Sequence, residues 1–301
     1  MENRVLRYFV EMARVGNMSK AASNLHVTQP TMSRQLKELE DELNVKLFHR
    51  TNYSIKLTEA GILFLNRARD ILSLVEKTKA EFASSDKSLD GNLYIGCPES
   101  DSIRYIAKTV MLLKEKGVNI RTHLHSANAS DALERLNKGL DDLTFTVHDI
   151  RDSRYNIIDL PLYDQWGLLL KENHPLAKKK AVSLADIEKE PLIVSKQGYE
   201  QLFPQWFSEE SYSKLNITAT YNLVYNGTLF VKEGLGICLI FSKLVSTENN
   251  EGLTFRPLTG VPRASLKLIW RKNNPLSPQA NVFLDVFKRE FVLDTVEQEG
   301  G

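Results

Sequence analysis

The amino-acid sequence predicts an α/β protein with an N-terminal winged helix-turn-helix, a long connector helix and a two-lobed C-terminal domain. Three observations support this prediction: short helical patterns in residues 1–58, a long apolar helical repeat in residues 59–90, and alternating strand and helix patterns in residues 91–301. We therefore expect these three ranges to form successive parts of the molecule.

The first part contains the pattern of two short helices joined by a tight turn. Gly16 suits the left-handed residue that ends a first helix, and Ser19 is expected to cap a second helix that runs to about Asn24. The first helix has one apolar stripe at helical spacing, formed by Leu6, Phe9, Val10 and Ala13.

A third helix carries the polar face that makes this pattern informative. Thr28 is expected to cap it, and Pro30 is tolerated because the first helical turn needs no backbone donor there. Its buried stripe is predicted to contain Met32, Leu36, Leu39 and Leu43. The residues outside that stripe are Gln29, Thr31, Ser33, Arg34 and Lys37. Arg and Gln side chains can form paired hydrogen bonds with guanine and adenine edges, so this face predicts entry into the major groove of DNA.

A short hairpin follows the third helix, because residues 46–58 alternate apolar and polar side chains around a Thr-Asn turn. Arg50 and Asn52 lie where such a wing would contact the DNA backbone or minor groove. The alternative is a three-helix interaction domain that never meets DNA, since residues 1–61 hold nine Lys and Arg against seven Asp and Glu. The cap, the proline and the Gln/Thr/Arg face all occur at the start of one helix, which favours DNA binding.

Five motifs occur in order and at specific spacings: L-x-x-F-V, A-x-x-G-x-x-S-x-A-A-x-x-L, V-T-Q-P-T-x-S-R-Q-L-x-x-L-E, L-x-x-x-L-F-x-R and L-T-x-A-G. Together they resemble the N-terminal domain of LysR-type transcriptional regulators, although Asn44 stands where that family often has glycine. The resemblance implies double-stranded DNA as a partner, and it allows RNA polymerase as another. It implies that Arg50 contacts phosphate and that the third helix reads DNA through Gln29, Pro30, Thr31, Ser33 and Arg34.

The connector is predicted as one helix, capped by Thr58 and running to about Ala83, with a polar hinge at residues 84–88. Its apolar heptad seam contains Phe64, Ala68, Ile71, Val75, Thr78 and Phe82, with Leu65 and Leu72 in a second stripe. These stripes either dock on the same domain or pair with a second copy of the chain. The resemblance implies pairing, as a homodimer or homotetramer.

From residue 91 the strand and helix patterns alternate, which predicts parallel, doubly wound sheets. We expect lobe I to contain residues 91–161 and 266–293, and lobe II residues 162–265, in an arrangement similar to a periplasmic binding protein. The resemblance implies that this effector-binding domain holds a small molecule between its lobes.

Polar residues follow several of the predicted strands, where a ligand would bind at the carboxyl ends of the strands. Each has an alternative interpretation as a helix cap or turn residue. The charge of Asp101 argues against a simple carboxylate effector and leaves an amine or a neutral ligand. The candidate effector-binding residues are Ser100, Asp101, Ser102, Asn128, Thr146, His148, Ser195, Gln197, Asn226 and Thr228.

Other chemistry has little support in the sequence. His123 and His125 share one strand face without a third nearby ligand, Cys97 is a lone candidate for redox sensing, and Cys238 lies in an apolar stretch. We expect no enzyme activity, cofactor or metal. The absence of a leader pattern and the absence of a long apolar run predict a cytoplasmic protein without membrane contact.

The sequence therefore predicts a ligand-responsive transcriptional regulator in which an effector alters the geometry of the DNA-bound protein. The alternative is a constitutive DNA-binding repressor whose C-terminal domain only oligomerises.

Overall fold

A computed structural model describes residues 1–50, 55–83, 89–247 and 252–293. The chain forms two compact units, residues 1–85 and 86–301. Within the described residues, no helix is both long enough and apolar enough to cross a lipid bilayer.

The described part of the first unit is helical apart from one antiparallel hairpin, in which Phe48 pairs with Leu57. Its elements in chain order are α1 (Asn3–Val15), α2 (Met18–Asn24), α3 (Gln29–Leu43), β1 (Phe48–Arg50), β2 (Ile55–Leu57) and α4 (Glu59–Ala83).

Helix boundaries in the first unit follow the predicted caps with one exception. Gly16 ends α1 in the left-handed region at φ 67°, as predicted, and Asn44, for which no cap was predicted, ends α3 in the same way at φ 50°. The prediction that Ser19 caps α2 is wrong, because the Oδ1 atom of Asn17 accepts the hydrogen bond from the backbone N–H of Lys20. Asparagine competes well for this position, and the helix therefore begins one residue before Ser19.

The core of the first unit joins α1 to the first half of α4. Phe9 of α1 is fully buried, and its ring meets the Phe64 ring of α4 edge to face at 4.8 Å between centroids. On the outside, Arg7 forms an ion pair with Glu76. The connector residues packed against this core are Ala60, Phe64, Leu65, Ala68, Ile71 and Leu72. Of the two alternatives for the connector, docking on its own domain is therefore the correct one for these residues.

Two details of the predicted helix stripes need correction. Leu43 is 37% exposed, since it lies in the last turn of α3 beyond the buried residues Met32, Leu36 and Leu39. Thr78 and Phe82 of the heptad seam are exposed, Phe82 by 85%. The predicted hinge at residues 84–88 lies outside the described residues.

The second unit contains two sheets. Lobe I has a five-stranded sheet in the order β4-β3-β5-β13-β6, and lobe II has a six-stranded sheet in the order β10-β9-β11-β7-β12-β8. The strands are β3 (Gly91–Cys97), β4 (Ile120–Ser126), β5 (Leu143–Thr146), β6 (Tyr155–Asp164), β7 (Trp166–Lys171), β8 (Val182–Ser183), β9 (Leu192–Ser195), β10 (Ile217–Tyr221), β11 (Ile237–Phe241), β12 (Leu253–Thr259) and β13 (Ala264–Arg271).

Helices cover these sheets, and a 3-10 turn at Asp101–Ile103 precedes the first of them. They are α5 (Arg104–Glu115), α6 (Ala129–Asn137), α7 (Leu184–Ile187), α8 (Lys196–Gln201), α9 (Phe203–Trp206), α10 (Glu209–Lys214), α11 (Val224–Lys232) and α12 (Pro278–Lys288). Separate apolar clusters fill the two lobes, which identifies each lobe as a packing unit.

Each sheet contains one antiparallel strand, which corrects the expectation of wholly parallel sheets. Strand β7 runs antiparallel to β11 and β12, and β13 runs antiparallel to β5 and β6. Both strands directly follow a crossing between the lobes, at Gln165 and at residues 260–263. Strands β7 and β13 therefore enter their sheets from the other lobe, without the crossover helix that joins parallel neighbours within one sheet.

Candidate DNA-binding surface and effector cavity

The start of α3 is held by a threonine cap. The Oγ1 atom of Thr28 accepts a hydrogen bond from the backbone N–H of Thr31, and the two hydroxyl oxygens lie 2.8 Å apart. Burial of Met32, Leu36 and Leu39 turns the opposite face outward. The predicted contact residues exposed on that face are Gln29, Pro30, Thr31, Arg34 and Lys37, whereas Ser33 is half-buried.

Arg34 is the most informative side chain of this surface. It is 71% exposed, and its Nε atom lies 3.7 Å from the Oε1 atom of Glu38. Such an exposed pair contributes little free energy, about 0.2–1 kcal/mol, so the guanidinium can exchange it for another acceptor. The arrangement leaves a planar, paired hydrogen-bond donor facing outward, as recognition of a guanine edge requires.

Glu40 holds the wing against α3, a role that the sequence interpretation missed. Its side chain is buried, and its Oε1 atom accepts hydrogen bonds from the backbone N–H groups of Leu47 and Phe48 at 2.8 and 3.2 Å. Lys46 lies 3.4 Å from the other carboxylate oxygen. The sequence does hold a signal for this role. Glu40 directly follows the buried Leu39, on the side of α3 that faces the core of its own domain.

The wing itself is described only at its two strands. Arg50 ends β1, and Asn52 lies outside the described residues. Thr58 fastens the base of the wing, since its hydroxyl donates to the carbonyl of Lys46 and accepts the N–H of Gly61. A side chain at Gly61 would meet the carbonyl oxygen of Leu47 at 2.1 Å. Glycine therefore allows the connector to approach the base of the wing closely.

In the second unit, a cavity of about 190 Å³ opens between the lobes at the carboxyl ends of β4, β5, β9 and β10. It is small for a ligand site, since such pockets commonly measure about 300–1,000 Å³. Five of the predicted effector residues line it: Asn128, Thr146, His148, Ser195 and Gln197.

The other predicted residues lie elsewhere, mostly because they satisfy neighbouring groups. Ser100 caps the 3-10 turn by accepting the N–H of Ser102, and it donates to the buried carboxylate of Asp164. Asp101 pairs with Arg104 at 2.6 Å and with Lys243 at 3.6 Å. Asp101 does not line the cavity, so its charge does not count against a carboxylate effector.

The remaining two candidates belong to α11. Asn226 lines a second cavity of lobe II, next to Gly227 and Phe230. The buried Thr228 donates its hydroxyl to the carbonyl of Val224, one turn earlier. Neither residue lines the inter-lobe cavity.

Several lining residues were absent from the sequence prediction. Glu99 lies just after the carboxyl end of β3, and Tyr221 is the last residue of β10. The rule that ligands bind at strand carboxyl ends could therefore have included both residues. Trp166 and Phe241 come from paired positions on β7 and β11, which only the antiparallel register brings together.

Two hydrogen bonds cross the cavity from one lobe to the other. The Oε1 atom of Gln197 in lobe II accepts the backbone N–H of Ala129 at the start of α6 in lobe I, at 3.2 Å. Conversely, the Oε2 atom of Glu99 in lobe I accepts the backbone N–H of Val224 at the start of α11 in lobe II, at 2.6 Å. Each lobe therefore supplies an oxygen acceptor to a helix of the other lobe.

Burial keeps one imidazole and two thiols of the second unit uncharged at neutral pH. Burial lowers the pKa of His148 below its ordinary value of 6.5, so its imidazole is uncharged at neutral pH. Burial, assisted by Asp141, raises the pKa of Cys97 to about 11, and burial raises that of Cys238 to about 12. Because the thiolate is the reactive form, these two buried thiols are poor redox sensors.

Metal chemistry has no candidate site within residues 1–50, 55–83, 89–247 and 252–293. Among them, no three His, Cys, Asp or Glu side chains are grouped so that they could hold an ion. The ring of His123 instead stacks on Tyr94 at 4.6 Å, and its Nε2 atom lies 3.0 Å from the Oδ1 atom of Asn92.

Comparison with known proteins assigns both units. The family model described as "Bacterial regulatory helix-turn-helix protein, lysR family" matches residues 3–62, and that of the "LysR substrate binding domain" matches residues 86–292. The DNA-binding transcriptional dual regulator OxyR of Escherichia coli K12 is 29% identical over 282 residues, which cover 92% of this chain and 91% of OxyR.

The transcriptional regulator AlsR of Bacillus subtilis is 28% identical over 281 residues, covering 91% of each chain. Among solved structures, full-length CbnR in complex with its target DNA superposes with a TM-score of 0.74 at 22% identity, over 96% of this chain and 99% of CbnR. This likeness confirms the predicted fold.

Proposed function

The chain belongs to the LysR family of bacterial transcriptional regulators, and from this premise we propose that a small molecule bound between its lobes controls how it lies on DNA. The protein is a DNA-binding regulator and not an enzyme. Its site of action would be the cytoplasm, with double-stranded DNA as its partner and RNA polymerase as a proposed second partner. OxyR and AlsR, each matched over 91% of its length, are transcriptional regulators.

The pair of hydrogen bonds across the cavity carries this proposal. A ligand that enters between Glu99 and Gln197 touches both lobes and changes the contacts that hold them at their present separation. A ligand shifts a conformational equilibrium only by its different affinity for the two states, and a site shared by two lobes provides that difference. Asn128, Thr146 and His148 would contribute the remaining polar contacts.

DNA recognition is assigned to the exposed face of α3 and to the wing. Gln29, Thr31 and Arg34 would reach base edges in the major groove, with Lys37 at the rim. Pro30 and Ser33 would position the backbone, and Arg50 and Asn52 would contact phosphate or the minor groove.

Self-association is assigned to the exposed apolar side of α4. Leu63 and Leu74 are 62% and 40% exposed, and they lie eleven residues apart, which places them on one face of a helix. A second copy would cover this face and form a dimer, or a tetramer of two dimers. Two copies of α3 could then read half-sites about one helical turn apart, roughly 34–36 Å.

The assembly test compares two leucines of the same helix. Leu63→Glu should weaken the dimer without unfolding the first unit, whereas Leu72→Glu should unfold it because Leu72 packs against the chain's own core. Sedimentation velocity and circular dichroism of the full chain separate the two effects. An unchanged sedimentation coefficient for the folded Leu63 variant would remove this face from the interface.

The ligand test uses the full chain in a thermal-shift screen against a metabolite library. Binding to the native state raises stability by RT ln(1 + [L]/Kd), so an effector present at about 100 times its Kd contributes about 2.7 kcal/mol. The shift should disappear in Thr146→Ala and Gln197→Ala and persist in Asn226→Ala, which changes the neighbouring cavity. A blank screen would favour the constitutive DNA-binding repressor.

A further inference from the structure

The chemistry of the cavity's charged groups restricts what it can bind. Glu99, Asp131 and Lys196 line it. Asp131 and Lys196 are exposed, and Lys196 lies 3.9 Å from Glu200. His148 is neutral because burial lowers its pKa. Among the lining residues, the half-buried carboxylate of Glu99 is therefore the charge that a ligand inside the cavity would meet.

An anionic ligand finds its natural binding elements already occupied. Backbone N–H groups at the starts of α6 and α11 face the cavity, and such groups favour negative charge. The Ala129 N–H is bonded to Gln197 and the Val224 N–H to Glu99. A carboxylate effector would have to displace these oxygens and would lie beside the charge of Glu99.

A cationic ligand instead finds both a counter-charge and aromatic walls. Trp166, Tyr221 and Phe241 line the same cavity, and the rings of Trp166 and Phe241 lie 4.1 Å apart between centroids. Burial, the neighbouring Cys238 and then the charge of Glu99 raise the pKa of Tyr221, so this phenol lies within the electrostatic reach of Glu99. A carboxylate and aromatic side chains that line one cavity are groups that can together recognise an ammonium group.

We propose that the effector is a small organic cation, an amine carried on an apolar or aromatic body, and that Glu99 selects it. The Glu99 carboxylate binds the ammonium group while its Oε2 atom remains at the start of α11. The volume of about 190 Å³ limits the body to a small one. This inference rests on the proposed function, in which the cavity is the effector site.

The test uses three probes of one shape on the full chain: benzylamine, benzyl alcohol and benzoate, which carry an ammonium, a hydroxyl and a carboxylate group. Titrations followed by saturation-transfer NMR at pH 7 give their relative affinities. Benzylamine should bind about tenfold or more tightly than benzoate, as expected for one added charged hydrogen bond. If benzoate binds as tightly as benzylamine, the proposal that the effector is a cation is overturned, but the cavity remains a ligand site. If saturation transfer is seen to none of the three probes, both the cationic class of the effector and the role of the cavity as a ligand site are overturned.

A variant pair separates contact with Glu99 from net charge. Glu99→Gln keeps an acceptor for the Val224 N–H but removes the charge, so benzylamine should fall about tenfold, to the affinity of benzyl alcohol, while benzyl alcohol is unchanged. Glu134→Gln removes the same charge from an exposed position of α6 outside the cavity and should change neither probe. Equal losses of benzylamine affinity in both variants would overturn the role of Glu99. The affinity ranking of the wild-type chain tests the class independently of either variant.

Discussion

The two units position their candidate sites in different ways. The DNA-binding surface lies on one face of α3, and its geometry follows from a cap, a proline and three buried apolar residues. The cavity is assembled from the ends of strands in two lobes, and its closest contacts join residues 68 and 125 positions apart. A local pattern specifies the first site, whereas the order and direction of strands specify the second.

The largest expected effect tests the close packing that supports the local site. In Gly61→Ala, the new methyl group would meet the Leu47 carbonyl at 2.1 Å, so α4 must move away from the base of the wing. We expect the first unit to lose about 3 kcal/mol of stability, as in overpacked sites. Urea denaturation followed by circular dichroism measures the loss, with Glu59→Ala on the exposed side of the same turn as control. Equal stability of both variants would contradict the close approach.

Glu40 provides the next largest effect. Glu40→Ala leaves the buried N–H groups of Leu47 and Phe48 without their acceptor, which should cost about 2 kcal/mol of unfolding free energy. Glu40→Gln keeps one acceptor oxygen and should recover part of that loss. The exposed Glu38→Ala should stay near wild type in the same denaturation experiment. If Glu38→Ala is the more damaging change, the wing is held in another way.

Base reading and phosphate contact should differ in their dependence on DNA sequence and salt. Arg34→Ala should lower the discrimination between a binding site and an altered site by about 1–3 kcal/mol. Arg50→Ala should weaken binding to all sequences alike and flatten the salt dependence. Fluorescence anisotropy at several salt concentrations measures both, with Arg4→Ala on α1 as comparator. Identical profiles for Arg34 and Arg50 would contradict this division of roles.

The smallest expected effect concerns the crossing between the lobes. Burial raises the pKa of Asp164 above its ordinary value of 3.8, although the hydrogen bond from Ser100 opposes the shift. Its protonated form therefore stabilises the fold at low pH, and this contribution is lost as the pH rises through the raised value. Asp164→Asn should raise the Tm at pH 7, and the gain should shrink as the pH falls through the raised pKa of Asp164 toward its ordinary value of 3.8.

Asp152 is the matched control, because hydrogen bonds from Arg154 lower its pKa. The carboxylate of Asp152 therefore stabilises the fold above its ordinary pKa. Asp152→Asn should lower the Tm at pH 7, and the loss should shrink as the pH falls. The same sign of effect for both variants would contradict the environment assigned to Asp164.

Sequence reasoning reached most of the first unit because its signals are local. The capping hydrogen bonds of Gly16, Thr28 and Thr58 each join residues three or four positions apart in the chain. It failed at Asn17, which competes with Ser19 two residues later for one cap, and at Glu40, whose partners lie seven and eight residues away.

In the second unit, the strands with local patterns were predicted, whereas β6, β8 and β12 were missed, β8 because it has only two residues. Strands β6 and β12 contain Pro161 and Pro257, which disfavour a strand prediction. Half of the predicted effector residues line the cavity, because the rule of strand carboxyl ends places residues at the correct edge. That rule cannot tell a residue that faces the cavity, such as Gln197, from one that pairs within its lobe, such as Asp101.

The measurement that tests the account most directly is a DNA footprint of the full chain with and without a saturating ligand identified by thermal shift. The binding site is first selected from genomic DNA. If occupation of the inter-lobe cavity controls the DNA-bound geometry, the protected region should change in length and the sites of enhanced cleavage should move. An identical footprint at saturation, with the ligand demonstrably bound, would contradict the account.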